Sequence, residues 1–185
     1  ITFGGAFHTE NAQYMSHMFY GCYKLKELDL SSFDTSNVET MFGMFRCCWD
    51  LEKVDLSSFD TSQVEYMDQM FCACRSLKDV VVSSFVTSNV KSMQGMFWIC
   101  RALKELDLSS FDTGNVQDMS CMFWGCEVLT ELNLDGFDTS NVQDMSSMFR
   151  ECYRLKNLDL RSFDTSKVQN MSEEHLEVCQ KLGRI

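Results

Sequence analysis

The chain repeats itself every 26 residues without an insertion, and this regularity limits its fold more than any other feature. Phe33, Phe59, Phe85, Phe111, Phe137 and Phe163 follow one another at that interval, and Phe7 opens the series. Phe19, Phe45, Phe71, Phe97, Phe123 and Phe149 form a second such column, and Cys22, Cys48, Cys74, Cys100, Cys126 and Cys152 a third. A period of this length belongs to units that stack on their own copies. One unit cannot fold alone: slots such as Leu25, Leu28, Leu30, Phe33, Val38, Met41, Met44, Phe45 and Cys48 bury too little to offset the entropy of ordering it. Stacking supplies the rest, with like slots aligned as ladders about 4.7–5 Å apart.

Each copy reads locally as three pieces. Leu28 and Leu30 alternate as a short strand does. "SSFDTSNV" carries Asp, Ser, Thr and Asn, whose side chains bond nearby backbone in turns. Met41, Met44 and Phe45 then fall at spacings of three and four, which predicts a helical turn or a tight coil as the return segment. The pattern ends at the C-terminus, where Glu174 and His175 replace Met and Phe. "SEEHLEVCQKLG" predicts a capping helix, with Ser172 at its N-cap and Gly183 at its stop. The expected organisation is one solenoid domain over residues 1–185: a partial repeat over 1–6, repeats over 7–172 and a cap over 173–185. The chain starts at Ile1 in mid-pattern, which reads as a piece of something longer.

The quoted stretch "LKELDLSSFDTSNVETMFGMF", with a cysteine three residues on, resembles the BspA-type leucine-rich repeats of bacterial surface proteins and mycoplasma lipoproteins. The likeness covers Phe7 to about Ser172. It implies a leucine-rich-repeat-like right-handed coil with one short strand per repeat. It also implies adhesion or protein binding, at a cell surface or after secretion.

One departure from that family bears on function. Where the family commonly has small polar residues after Met-Phe and after Cys, this chain has Tyr20, Arg46, Cys72, Trp98, Trp124 and Arg150 in one column. In the other it has Tyr23, Trp49, Arg75, Arg101, Glu127 and Tyr153. All three tryptophans lie here. A core ladder favours one residue type, as the Phe and Met columns do, and arginine rarely enters a core unpaired. The two columns are therefore expected to face solvent, on one face if the return is helical. Tyr, Trp and Arg dominate binding hot spots. Thr40, Phe42, Tyr66, Asp68 and Gln94 vary similarly and extend the expected patch. The competing reading is a protective cover, with arginines stacked on tryptophans between rungs.

Other constellations point less far. The cysteine column reads as small buried thiols. Cys47 and Cys72, 25 residues apart, are expected on adjacent rungs, where either a disulfide or free thiols would fit. Asp29, Asp55, Asp107 and Asp159 align, as do Asp34, Asp60, Asp112, Asp138 and Asp164. Calcium is one reading of such columns, but interruptions such as Val81, Val86 and Asn133 favour turn capping. No metal or other cofactor is expected. The histidines, at 8, 17 and 175, lie near the ends, and no serine or cysteine has a repeat-breaking acid and base beside it, so no enzyme is expected. A net charge of −11 argues against nucleic acid, and no apolar run is long enough for membrane insertion. The sequence thus leads to a non-enzymatic module that binds a protein or glycan partner. A rigid spacer and a self-associating subunit are its rivals.

Overall fold

The computed structural model describes residues 3, 8–156 and 158–170. The expected C-terminal cap and Phe7 lie outside the described residues. Each copy forms one rung, and successive rungs stack in register. Four short strands mark one side: β1 (Lys53–Asp55), β2 (Asp79–Val81), β3 (Glu105–Asp107) and β4 (Glu131–Asn133). β1 pairs in parallel with β2, placing Val54 beside Val80, and β3 pairs with β4, placing Leu106 beside Leu132. In β1, β3 and β4 the middle residue is buried and its neighbours exposed, as the alternation Leu28–Leu30 leads one to expect, while in β2 Val80 and Val81 are both half-buried.

Of the two return segments expected, a helical turn or a tight coil, the structure has the tight coil: no helix occurs among the described residues. Hydrogen bonding explains why. Met41, Gly43, Phe45 and Cys47 donate their N–H groups across to the carbonyls of Tyr66, Asp68, Met70 and Cys72 on the next rung, at 2.8–3.0 Å. The alternate N–H groups turn inward along the chain: Met44 donates to Met41, Arg46 to Gly43 and Cys48 to Phe45, at 3.0–3.1 Å. A helix would use every N–H within its own segment. Here every second one belongs to the neighbouring rung, so three consecutive tight turns replace the helix.

These turns place residues in the left-handed region at two points per rung. Gly43 (φ 58°) and Cys47 (φ 63°) do so in one rung, Gln69 (φ 55°) and Ala73 (φ 61°) in the next. Each sits third in its turn, where a type II turn requires positive φ. Ile99 adopts φ 62° in the same column, a conformation a β-branched residue resists. Its N–H bond to the Trp124 carbonyl, at 2.7 Å, belongs to the seam that holds it there.

The interior consists of columns. Phe19, Phe45, Phe71, Phe97, Phe123 and Phe149 stack ring on ring, with centroids 5.4–6.0 Å apart and planes within 10°. Buried methionines and leucines line the rest of the core. Two polar ladders stitch the rungs from within. The Thr87 hydroxyl donates to the Asp112 carbonyl and accepts the Asp112 N–H, both at 2.8 Å. Thr61 does the same with Val86, and Thr139 with Asp164. The thiols of Cys48, Cys74, Cys100, Cys126 and Cys152 donate to carbonyls of the preceding rung at 3.1–3.3 Å.

Thr87→Val keeps the shape of the buried side chain but strands both backbone groups of Asp112. It is expected to cost about 2–4 kcal/mol, because each orphaned polar group costs roughly 1–3. Urea unfolding checks this against Thr130→Val, whose hydroxyl bonds the Lys104 carbonyl in an exposed setting and whose loss should stay near 0.5 kcal/mol.

Candidate binding site

The two variable columns stand three residues apart on every rung and form two ladders outside the core. Since the return is not helical, the two ladders are not joined into one face by a helical turn. The left-handed turns re-aim the chain between them.

In the ladder of Tyr23, Trp49, Arg75, Arg101, Glu127 and Tyr153, three neighbouring pairs touch. The Tyr23 and Trp49 ring centroids are 4.3 Å apart. The Arg75 guanidinium lies 4.8 Å from the Trp49 centroid. Arg101 Nε is 2.9 Å from Glu127 Oε1. All but Glu127 are exposed, with Trp49 at 38% and Tyr153 at 74%.

The ladder of Tyr20, Arg46, Cys72, Trp98, Trp124 and Arg150 lies deeper. Tyr20 is exposed, while Arg46, Trp98, Trp124 and Arg150 are half-buried and Cys72 is buried. Trp98 stacks on Trp124 at 5.1 Å, and Arg150 covers Trp124 at 4.7 Å. Arg46 lies 5.9 Å from the Tyr20 centroid and donates to Gln69 Oε1. The Trp98 indole N–H is sealed without a hydrogen-bond partner. Full solvent exposure of this column is thus corrected: each large side chain leans on its neighbour along the stack, where the rungs lie close enough for rings and guanidinium groups to touch. The expected extension is also trimmed. Tyr66 is exposed, but Asp68 is buried, where burial raises its carboxyl above the usual range despite the bond from Ser92.

The aspartate columns cap turns. Asp34, Asp60, Asp112, Asp138 and Asp164 each accept the N–H two residues on, at 2.8–3.1 Å. Asp29, Asp55, Asp107 and Asp159 do likewise at 2.9–3.1 Å. The bonds from Ser140 and Ser166 hold Asp138 and Asp164 below the usual carboxylate range. No acidic, His or Cys group among the described residues has the arrangement of a metal site. A shallow groove of about 820 Å³ runs beside β3 and β4, lined by Asp79, Glu105, Asp107, Glu131, Asp135 and Asp159.

Cys47 and Cys72 are free thiols on adjacent rungs, joined by the bond from the Cys47 N–H to the Cys72 carbonyl. In the inner cysteine column, burial pushes the thiols of Cys48 and Cys152 up to about 12. Burial also holds Cys74, Cys100 and Cys126 well above the ordinary range. Cys22, at the first described rung of that column, is exposed.

What sequence reasoning missed are the threonine ladder and the left-handed columns. Glycines at 21, 43, 95 and 125 were the available signal, since they recur at two fixed points of the period.

Short parallel strands, ring ladders and an unbroken period define a leucine-rich-repeat-like stack. The chain belongs to the family described as "Mycoplasma protein of unknown function, DUF285", whose model matches residues 4–105 and again 80–182. Comparison with curated proteins gives no match. Among solved structures, a leucine-rich repeat protein from Bacteroides ovatus ATCC 8483 is similar at 19% identity with a TM-score of 0.50. The match covers 93% of this chain and 41% of that one, and it bears on the fold alone.

The raised thiols make stability depend on alkaline pH. The fold favours their neutral form, so their contribution is intact below the unfolded thiol value of about 8.5 and is lost as pH climbs toward 12. Cys152→Ala is therefore expected to remove about 1–2 kcal/mol of the stability lost between pH 8 and pH 10. Urea midpoints of wild type and variant at the two pH values check this.

Proposed function

We propose that this chain is a non-enzymatic binding module that presents its Tyr, Trp and Arg ladders to a protein or glycan partner. The observation that carries this reading is the clustering of aromatics and arginines, exposed in one ladder and mostly half-buried in the other, at two fixed points of the rung, while the inward columns keep one residue type. Tyr20, Tyr23, Trp49 and Tyr153 are 38–74% exposed, an outlay of apolar surface that a solvated face does not need. Rigid aromatic rings and stacked guanidinium groups suit partner recognition, since little side-chain entropy remains to be lost. The likeness to BspA-type repeats supports placement in a larger bacterial surface protein, in an adhesive role.

A spacer role is the second reading, favoured by the ring-on-guanidinium contacts that already cover part of each tryptophan. Self-association through the same ladders is the third, and sedimentation against concentration separates it from the first.

Trp49→Ser with Tyr153→Ser should abolish capture of a surface-protein or glycan partner, at least tenfold, while thermal unfolding shifts by no more than about 2–4 °C. Capture from host and bacterial surface material, wild type against double variant, is the measurement. Equal capture by both proteins would leave the spacer reading standing. Trp98 and Trp124 serve this test less well, because their half-buried stack also contributes to stability.

A further inference from the structure

We propose that Arg75, held against Trp49, is a docking point for a carboxylate carried by an acidic polypeptide segment. This rests on the binding-module reading and gives it a partner chemistry.

The register isolates Arg75. Around the stack, charges 26 residues apart pair with opposite sign: Lys24 with Asp50, Glu27 with Lys53, Glu52 with Lys78, Glu65 with Lys91, and Arg101 with Glu127. Arg75 has Trp49 on one side and another cation, Arg101, on the other. Arg101 is already held by Glu127 at 2.9 Å, Arg46 donates to Gln69, and Arg150 lies 3.8 Å from Glu151. Among the described residues, no carboxylate comes within 4.0 Å of the Arg75 guanidinium. Arg154 is likewise exposed without an acid within 4.0 Å among the described residues, but of the two it is Arg75 that rests on an aromatic ring.

Its environment suits a ligand. Tyr23 and Trp49, 4.3 Å apart, continue the stack on which Arg75 rests at 4.8 Å. The ring fixes the plane of the guanidinium, leaving its N–H edge for a two-point bond to a carboxylate. The exposed part of Trp49 can take an apolar residue beside that carboxylate. The strand carboxylate nearest along the chain, Asp79, stands four residues on and does not come within 4.0 Å of the guanidinium. Charges separated by more than about 8 Å are largely screened at physiological salt. The net negative charge therefore weakens long-range attraction without cancelling the local pair.

The test is a titration, followed by NMR of the Arg75 Nε–H and Trp49 indole N–H signals. The probe is a twelve-residue peptide of alternating glutamate and phenylalanine with serine spacers, compared with the same peptide carrying glutamine for glutamate. The acidic peptide should shift both signals saturably, and the neutral one should not. Arg75→Gln should weaken binding at least tenfold, and Arg75→Lys should recover little of it, because lysine lacks the planar fork. Arg161→Gln, on the strand side, should change nothing. The proposal is overturned by equal shifts with both peptides, by unchanged affinity in Arg75→Gln, or by a response to free glucuronate alone. Loss of partner capture in the Trp49/Tyr153 variant alongside any of these outcomes would leave the broader binding reading intact.

Discussion

The structure depends on a division of labour among backbone N–H groups. Along the return segment, one N–H closes a turn in its own rung and the next crosses to the neighbouring rung. The backbone donors of the return segment are thereby paired without a helix, at a rise small enough to bring identical side chains into contact. The phenylalanine stacks follow from that spacing, since rings 5.4–6.0 Å apart with nearly parallel planes require rungs in strict register. The threonine and cysteine ladders follow too. Each places a hydrogen-bonding atom within 2.8–3.3 Å of backbone one rung away.

The same seam shapes the outer surface. Because each rung lies directly on the next, many neighbouring outer side chains come within contact distance. Where they attract, as Lys78 and Glu52 do at 2.9 Å, the pair is exposed and adds little to stability. Where they are aromatic, they stack. The ladders of Trp, Tyr and Arg thus have two consequences of one geometry: partial cover of each ring by its neighbour, and a rigid display of what remains exposed. Trp98 and Trp124 lie toward the first, Trp49 and Tyr153 toward the second.

Much of this was legible in the sequence. A fixed period with apolar columns led directly to stacked rungs with one short strand each, and the aspartate columns led to turn capping, as Asp138 with Ser140 shows. The spacing of Met41, Met44 and Phe45 left a helical turn and a tight coil both open, for a definable reason. Spacings of three and four also arise when consecutive turns bring alternate residues inward, and hydrophobic period alone does not separate the two. The glycines at 43 and 95 carried the distinction, but Gln69, Cys121 and Ser147 in the same column disguised it. The depth of Trp98 was not legible either. It depends on Gly95 and Gln69 beside it and on Trp124 beyond, that is, on residues of three rungs.

The unbroken 26-residue period has a further consequence. Each copy touches its immediate neighbours through a seam that is the same on both sides. Duplication or deletion of one whole unit in the gene would shift the outer pattern by a single step and leave every interior column continuous. Such a lineage can lengthen, shorten or reshuffle its recognition surface by recombination between copies, whereas the loss of even one residue inside a copy would break every ladder at once.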